Sequence, residues 1–507
     1  MKKIEIRKAI RGIYDKKLGE NGQRLIGNVI VEHEGSILWC DSAYLYDDKN
    51  SMDAFGHVHI QMNDTLQLYG DKLFYDGNLR IAKVKQNVRL EDKKLTLYTD
   101  DLIYNRNTKV GEYIVWGKVV DSANVLTSKT GLYYSDKNEV FFYDSVVLVN
   151  KEHTLKTDSL FYNTKFKTLN FTGPTTIVGD SSYMYAESGF HNTQSDYTRL
   201  KKNAFLQDKA NTLQGDSLYY DKMRGIAEVF KNVQITDTIE NFVVQGGYAN
   251  YRKNEHFAYV VDRALAIMIE DTDSLFIHAD TLRLLLDSAD KVEQLLAYRH
   301  MKFFRDDFQG MSDSMVYMMK DSAIYFYHDP VIWYEDNQFM ASEIQLVLQQ
   351  GELDSVVFKK DVFLVSQDSI DPQYFNQIKG NNMVGWFIDN DLRKIKVTGN
   401  SETVYFLWEE DKTPVGMTRI SAEDMLMYLK DNKLETITYK KEPKAKLYPP
   451  AQIPADQLKL NGFQWLIERR PKKKEDVFIW EAVDMNKTDE KSIEIKEEVP
   501  EIQKLKK

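Results

Sequence analysis

Short runs of alternating apolar and polar residues fill most of the chain, and polar turns separate them. One motif has the form GDSLYYD at 215–221, where Leu218 and Tyr220 fall on the same side of an extended chain as Asp216. A period of two predicts β-strands that have one apolar face. Close relatives of this motif are CDSAYLYD at 40–47, GDKLFYD at 70–76, TDDLIYN at 99–105 and TDSLFYN at 157–163.

A second motif lies between the copies of the first. It reads IGNVIV at 26–31, FGHVHI at 55–60, KQNVRL at 85–90, YDSVVL at 143–148 and KNVQI at 231–235. Copies of the first motif, aligned on the aspartate, fall at 41, 71, 100, 130, 158, 187, 216, 247, 280 and 313, in steps of 28 to 33 residues. We therefore expect a repeating unit of about 30 residues that contains two or more strands.

Turn signals such as DDKN at 47–50 and SDKN at 135–138 separate the motifs. Short turns at regular spacing favour an antiparallel meander or jelly roll over βαβ units, because a parallel crossover needs room for a helix. The segment LRLLLDSADKVEQLLAY at 282–298 also fits an amphipathic helix, but its place in the repeat favours strand–turn–strand. The sequence therefore predicts an all-β protein whose repeats stack along one axis.

A rolled or V-shaped sheet of this kind encloses a continuous apolar trough along its length. The trough can be filled by the protein's own side chains, or it can hold a long apolar ligand. The tyrosine stripe that recurs once per repeat fits both alternatives, as core filler or as trough lining. The candidate groove residues are Val29, Val31, Tyr46, Val58, Ile60, Leu73, Tyr75, Val88, Leu90, Leu102, Tyr104, Val146, Leu148, Leu160, Tyr162, Leu218, Tyr220, Val233 and Ile235.

Composition narrows the class of protein. The 507 residues carry 67 Lys and Arg against 77 Asp and Glu, and the net charge of −10 argues against a nucleic-acid partner. No run approaches about 18 consecutive apolar residues, so no transmembrane helix is expected. The basic start MKKIEIRKAIRGIYDKK lacks the apolar region of a signal peptide. A single cysteine, Cys40, excludes an intramolecular disulfide.

No pattern in the sequence indicates catalysis. His57 and His59 could be two metal ligands, but no third ligand lies nearby in sequence, so a solvent-facing pair is the better interpretation. The repeated aspartates, among them Asp41 and Asp216, are better explained as strand-start or turn-capping residues than as a carboxylate ladder. Because no GxSxG, P-loop, GxGxxG or HExxH motif occurs, we expect no catalytic residue, no metal and no cofactor.

The motif array resembles the OstA/LptA family of periplasmic lipopolysaccharide-transport β-jellyroll proteins, and in particular the long OstA-like form of Bacteroidetes-type bacteria. The segments that carry the resemblance are IGNVIV at 26–31, CDSAYLYD at 40–47, AFGHVHIQMNDTLQLYGDKLFYD at 54–76, GKVV at 117–120 and LQGDSLYYD at 213–221. The resemblance is clear over about residues 20–270 and fades through 280–430. It implies an elongated, repetitive antiparallel β-jellyroll.

The resemblance also implies a function. It implies a periplasmic bridge, associated with the outer membrane, that carries lipopolysaccharide with its acyl chains in the groove. It implies partners among other jellyroll transport components at the inner and outer membranes, and head-to-tail self-association through edge strands. The alternative left open by the residues is a structural β-repeat scaffold or adhesin with a filled core and no lipid ligand.

The expected organisation of the chain follows from the strength of the repeats. Residues 1–20 form an N-terminal lead-in, 21–270 the jellyroll repeats, and 271–440 a diverged continuation of them. Residues 441–483 form an irregular C-terminal wrap, tacked to the sheet by Phe463, Trp465 and Leu466. Residues 484–507 form a charged tail with no periodic apolar face, which we expect to be disordered.

Overall fold

The structure, a computed structural model, describes residues 2–62, 65–208, 211–237, 241–269, 274–288, 291–349, 352–389, 391–430 and 433–480. The expected charged tail at 484–507 lies outside these residues. Within them the chain forms β-strands and short 3-10 helices and contains no α-helix. No helix of the described part is long and apolar enough to cross a membrane.

Thirty-six strands follow one another in the described residues. They are β1 (Glu5–Lys8), β2 (Arg11–Tyr14), β3 (Gly22–His33), β4 (Ser36–Tyr46), β5 (Ser51–Gln61), β6 (Gln67–Asp76), β7 (Ile81–Glu91), β8 (Thr96–Asn105), β9 (Val110–Tyr113), β10 (Gly117–Val120), β11 (Val125–Ser128), β12 (Thr130–Tyr134), β13 (Glu139–Val149), β14 (His153–Asn163), β15 (Thr168–Gly179), β16 (Ser182–Asn192), β17 (Tyr197–Asp208), β18 (Asn211–Asp221), β19 (Ile226–Asp237), β20 (Phe242–Arg252), β21 (Phe257–Val261), β22 (Leu265–Ile269), β23 (Ser274–His278), β24 (Thr281–Leu286), β25 (Val292–Phe304), β26 (Phe308–Met318), β27 (Ala323–Tyr327), β28 (Val331–Tyr334), β29 (Asn337–Met340), β30 (Glu343–Gln349), β31 (Glu352–Gln367), β32 (Phe375–Ile388), β33 (Asp391–Trp408), β34 (Pro414–Lys430), β35 (Lys433–Lys440) and β36 (Lys444–Tyr448).

Seven short 3-10 helices complete the described elements. Four of them follow the last strand. The seven are Lys16–Leu18, Asp47–Lys49, Lys253–Glu255, Pro450–Gln452, Ala455–Gln457, Ile467–Arg469 and Lys474–Phe478.

All strand pairs are antiparallel, and each long strand pairs with the next one in the chain. Some strands are split, and then both pieces pair with the same neighbour, as β9 and β10 do with β8. Each long strand bends near its middle, and the bends divide the sheet into two halves, here called the half-sheets. Each long strand therefore crosses from one half-sheet to the other, and turns lie at both outer edges. The fold is an all-β, antiparallel β-jellyroll, as the sequence predicts.

The second motif forms the corner where a strand bends between the half-sheets. In β3 the pairing with β4 jumps from Ile26 to Val29, and the two skipped residues have left-handed backbone, with φ of 83° at Gly27 and 42° at Asn28. Left-handed backbone costs about 1–2 kcal/mol for most residues, which favours Gly and Asn. The same double bulge recurs at 56–57, 86–87, 144–145, 202–203, 231–232, 262–263, 299–300, 328–329, 360–361 and 399–400.

The corner corrects two expectations about the first motif. Asp41 is the sixth residue of β4 and lies opposite the next strand's corner, so these aspartates are not strand-start residues. The bulge also breaks the alternation around Asp216, which is exposed while Leu218 is buried, so these two side chains do not share a face. A strict period of two cannot anticipate this break, because the extra residue of a bulge resets the faces.

Strand boundaries also decide the structure of two further segments, 282–298 and 1–20. The segment at 282–298 forms the end of β24 and the start of β25, which confirms strand–turn–strand over an amphipathic helix. The lead-in at 1–20 contains β1 and β2, and both pair with β3. Paired strands lie before and after residues 270 and 440, so the sheet does not mark where one part of the chain ends and the next begins. The divisions at these two points therefore stay predictions from sequence.

The segment 449–480, here called the strap, lies on the outer face of the C-terminal strands. Phe463 and Trp465 pack against Phe375, with ring centroids 5.2 and 5.3 Å apart, and Leu466 packs against the cluster around Trp333. The expected tacking residues therefore do hold this segment. Along the strap both faces of the sheet are buried, whereas elsewhere most side chains of the outer face are half-buried or exposed.

Candidate functional site

The interior between the half-sheets changes character along the chain. In the N-terminal strands the inward side chains fill it, and Val29, Leu90 and Leu102 have no exposed surface. The space that remains beside Val31 and Tyr75 is a cavity of only about 20 Å³. The same close packing returns near Phe358, again with about 20 Å³ left. Along these two stretches the expected trough is therefore filled by the protein's own side chains and is not open.

Between these packed stretches lies an interior cavity of about 580 Å³. Strands from β13 to β25 contribute its walls, and small side chains such as Ala227, Ala249 and Ala258 leave room for it. That volume falls within the range of about 300–1,000 Å³ typical of small-molecule sites. Its apolar lining is Leu148, Leu155, Leu169, Ile177, Met184, Leu206, Leu213, Leu218, Tyr220, Ala227, Val229, Ile235, Phe242, Val244, Ala249, Tyr251, Ala258, Leu284, Leu286 and Val292.

One side of the cavity is polar and is here called the mouth, formed by Asn150, His153, Asp196, Lys222, Asp237 and Lys253. Lys222 Nζ lies 3.5 Å from Asp196 Oδ2 and 3.8 Å from Glu152 Oε2, so long ion pairs span the mouth. Burial lowers the pKa of His191, which lines the cavity and lies 3.0 Å from Thr198 Oγ1. Its imidazole is therefore neutral at pH 7.

Away from the mouth, tighter bonds close the seam where the turns of the two half-sheets meet. Arg106 Nη1 donates to the Tyr75 hydroxyl at 2.7 Å, and Arg106 Nη2 donates to the backbone oxygen of Glu34 at 3.3 Å. Arg80 Nε lies 2.7 Å from Glu34 Oε2. These contacts join turns that are far apart in sequence, and they hold the N-terminal interior shut.

Asp121 closes the next part of the seam, and its side chain has no exposed surface. Burial alone would raise the pKa of Asp121, but the hydrogen bond from Tyr162 and those from the amides of Ala123 and Asn124, with the charge of Lys167, hold it below its usual value. The amide bonds measure 2.8 and 2.7 Å, and Lys167 Nζ lies 3.4 Å away. The closed seam thus ends close to the strands that form the cavity.

The structure divides the predicted groove residues into three groups. Four of them line the cavity: Leu148, Leu218, Tyr220 and Ile235. Most of the others face the interior within its packed core: Val29, Val31, Val58, Ile60, Leu73, Tyr75, Val88, Leu90, Leu102, Tyr104, Val146, Leu160, Tyr162 and Val233.

Tyr46 alone forms the third group, and the structure corrects its predicted place in the groove. It lies on the outer face, its hydroxyl donates to Asp53 at 2.8 Å, and the preceding Leu45 is the inward residue. In the related strands the inward tyrosine is the fourth residue after the aspartate, as Tyr75 is after Asp71. Tyr46 is the fifth after its own aspartate, which places it on the opposite face.

Sequence reasoning missed several cavity residues. Met184 and Leu206 lie in strands whose copies of the motifs are weaker, although their alternation has the same period, and Leu213 lies just before the GDSLYYD motif of β18. Extending the register from Ile235, which pairs directly with Leu213, would have found the latter. No pattern in the sequence distinguishes Lys222 as a residue of the mouth, because its role depends on a turn that approaches from another repeat.

The two histidines that the sequence offers as metal ligands both lie on the outside of the sheet. Among the residues that the structure describes, no group of three or more His, Cys, Asp or Glu side chains is arranged to hold a metal ion. His57 is almost fully exposed and lies 2.8 Å from Asp41, while His59 stacks between Trp39 and Tyr69 on the outer face. The arrangement of the cavity therefore suits an amphiphile, with an apolar body inside and a polar group at the mouth.

Comparison with known proteins gives one family. The family model described as OstA-like protein matches residues 1–158 and 160–268. Among solved structures, the chain is similar to LptH from Pseudomonas aeruginosa, described as the LptA-homologous periplasmic component of the conserved lipopolysaccharide transport device. The identity is 15%, the match covers 28% of this chain and 80% of that chain, and the TM-score is 0.17, so no conclusion is drawn from it. No match is found among the curated proteins.

Proposed function

The chain belongs to the OstA-like protein family, and on this premise we propose that it is a non-enzymatic lipopolysaccharide carrier that shields acyl chains in the cavity on their way to the outer membrane. The observation that carries the proposal is the cavity of about 580 Å³, apolar within and bordered by Lys222 and Lys253 at its mouth. Lipopolysaccharide combines several acyl chains with a phosphorylated sugar head group, which matches both parts of the site.

The energetics favour an acyl chain in this interior. Burial of each methylene contributes about 0.8 kcal/mol, so a dozen methylenes contribute roughly 10 kcal/mol before the costs of ordering the chain. Side chains such as Leu213 and Ile235 present no hydrogen-bonding group that would fix one position of the chain. The bound chain is therefore free to shift along the cavity, as carriage requires.

The polar residues of the mouth suit a head group that lies at the side of the cavity, outside the apolar interior. Lys222 and Lys253 supply positive charge, and Asn150 supplies hydrogen-bonding groups next to them. The ion pairs of Lys222 are long and partly exposed, so a phosphate can compete for this lysine at little cost. The head group would remain outside, where its sugars stay hydrated.

The carrier would act in the periplasm, associated with the outer membrane, between other jellyroll components at the two membranes. The terminal strands support such assembly, because β1 and β2 are exposed throughout and pair only with β3 among the described strands. At the other end, β35 and β36 pair with β34 alone within the same described set. Free edges of this kind favour head-to-tail pairing, with a second copy or with a partner sheet.

The experiment that tests the proposal narrows the cavity. Leu213→Trp and Ile235→Trp, on directly paired residues, place two large rings inside it, and the matched control Gln214→Trp places one on the outer face of the same strand. With fluorescein-labelled lipopolysaccharide as the probe, the double variant should bind at least tenfold more weakly, while the control binds as the unaltered protein does. Equal binding by all three proteins would refute the cavity as the lipid site.

A filled β-scaffold without a lipid ligand is the second candidate, and the close packing around Leu90 and Leu102 favours it. Under this alternative, the cavity is only a packing gap between the half-sheets. The same titration separates the two candidates, because a scaffold would bind the labelled lipid weakly and independently of residues 213 and 235.

A further inference from the structure

One row of outward side chains crosses the whole molecule, each residue directly paired with the next across the strands. In the N-terminal strands this outer row reads Trp39, His59, Tyr69, Arg89, Tyr98 and Lys118. It continues through Thr127, Val147, Lys156, Thr176, Tyr185, Phe205, Gln214, Gln234 and Gln245. Its C-terminal part contains Leu265, His278, Lys302, Met311, Val331, Met340, Phe363 and Lys379, and then Glu402, Ser421 and Lys444.

The strap follows this last part of the outer row. Lys379 Nζ donates to the backbone oxygen of Asn461 at 3.0 Å, and Lys302 Nζ donates to that of Ile479 at 2.6 Å. The rings of His278 and Phe478 lie 4.7 Å apart. Under the strap the row is buried, with Lys302 only 3% exposed. The row is therefore a track on which an irregular polypeptide, with extended stretches between short 3-10 helices, binds in this same molecule.

Two kinds of contact hold the strap on the track. Lysines of the row bind the main chain of the strap, and so do glutamines that lie two residues before the row on the same strands. Gln338 donates to the backbone oxygen of Gln464 at 2.9 Å and accepts from the amide of Leu466 at 2.7 Å. Rings of the row pack against rings of the strap, as Phe363 does edge-on against Phe463, with centroids 6.5 Å apart. The track thus recognises a polypeptide in two ways. Its cations bind carbonyl oxygens, and its rings pack on apolar side chains.

The N-terminal part of the outer row repeats that pattern without a strap over it. Arg89 lies 4.4 Å above the ring of Tyr69, and Tyr98 is 43% exposed. Together with the exposed Trp116, they border a surface groove of about 860 Å³. Asp71 and Asp100 lie on the corner side of this groove, and Glu91 Oε1 lies 3.2 Å from Arg89 Nε, whereas the row itself carries His59, Arg89 and Lys118.

We propose that the N-terminal part of the outer row, from Trp39 to Lys118, binds an extended acidic segment of a partner protein in the way that the strap binds the C-terminal part. The partner's backbone carbonyls would accept from Arg89 and Lys118, and its apolar side chains would stack on Tyr69 and Tyr98. Carboxylates of the partner would complement the cations of the row. The proposal is independent of lipid binding, because the outer row and the cavity lie on opposite faces.

The strap of the same molecule is not the expected occupant. It reaches Leu265 through Val477 and then turns back, so that Trp480 packs on His300 with ring centroids 5.0 Å apart. At its last described residue the chain thus heads away from the N-terminal strands. A segment supplied by another protein is therefore the occupant that the geometry favours.

Photo-crosslinking from single positions tests the proposal in cells that produce the full chain. Tyr69→p-benzoylphenylalanine and Tyr98→p-benzoylphenylalanine place the probe on the row, and Phe74→p-benzoylphenylalanine is the control on the same outer face beyond the corner. Both row positions should crosslink one partner protein. Because positions 69 and 98 are two strand spacings of about 4.8 Å apart, their crosslinks should map about three residues apart in one extended stretch.

Variants of the cations supply the second measurement. Arg89→Ala with Lys118→Ala should reduce the crosslink yield at position 98 at least fivefold, while Lys83→Ala, on the same strand as Arg89, leaves it unchanged. A synthetic peptide of the mapped stretch should bind the purified protein, and Arg89→Ala should weaken it at least tenfold. Crosslinks to glycan or lipid alone, to residues 481–507 of the same chain, to scattered stretches, or equally from position 74 would overturn the proposal.

Discussion

The side-chain amide of Asn232 donates a hydrogen bond of 2.8 Å to Oδ1 of Asp216 on the preceding strand, across the corner where both strands bend. Asn87 makes the same bond to Asp71 at 2.6 Å, and His57 Nδ1 lies 2.8 Å from Asp41. The aspartates of the first motif thus hold the left-handed residues of the second. This relationship explains why the two motifs recur together along the chain.

The first prediction concerns this corner bond. Asn232→Ala removes the hydrogen bond and puts an unfavourable side chain at φ 49°, so we expect β18 and β19 to lose about 1–2 kcal/mol of local stability. Asn232→Gly removes the same bond but tolerates the left-handed backbone, and should cost less than half as much. Native-state hydrogen exchange of these strands measures both values, and equal losses would contradict a backbone role for the corner.

The second prediction concerns pH and the seam. Because the folded state holds the pKa of Asp121 below its unfolded value of about 3.9, its stabilising contribution is present above that pH and is lost as the pH falls through the folded pKa. Asp121→Asn should therefore lower stability by about 1–3 kcal/mol at pH 7, and the difference should shrink below about pH 4. Urea denaturation from pH 3 to 7 measures this, with the exposed Asp136→Asn as control; a difference that is independent of pH would disprove it.

The third prediction concerns the attachment of the strap. Gln338→Ala leaves the oxygen of Gln464 and the amide of Leu466 without their partner, at a cost of about 1–3 kcal/mol. We expect trypsin to cleave the strap after Arg469 several times faster, while Gln345→Ala, on the next strand β30, leaves the rate unchanged. If the two variants are cleaved equally fast, Gln338 does not anchor the strap.

The fourth prediction concerns the single thiol. Burial raises the pKa of Cys40 to about 12, so the reactive thiolate is scarce at neutral pH. The native protein should react with a thiol reagent at least a hundred times more slowly than the protein unfolded in urea. Rapid reaction of the native protein would show that β4 opens readily at this position.

The sequence allowed much of the fold to be predicted, because alternation in runs such as FGHVHI places Val58 and Ile60 inward whatever their neighbours are. It failed where one extra residue resets the faces, as at Asp216 and Tyr46. The cavity could not be predicted, since it depends on the summed volumes of facing side chains such as Ala249 and Leu213 on different strands. The outer row was equally hidden, because it links residues about 10 to 20 positions apart through strand register alone.

The most direct test of lipid carriage is photo-crosslinking of lipopolysaccharide from two adjacent residues of β19. Ile235→p-benzoylphenylalanine places the probe in the cavity, and Gln234→p-benzoylphenylalanine places it on the outer face of the same strand. If acyl chains occupy the cavity, position 235 should crosslink lipopolysaccharide and position 234 should not. Crosslinks from position 234 alone, or from neither position, would contradict lipid carriage through the interior.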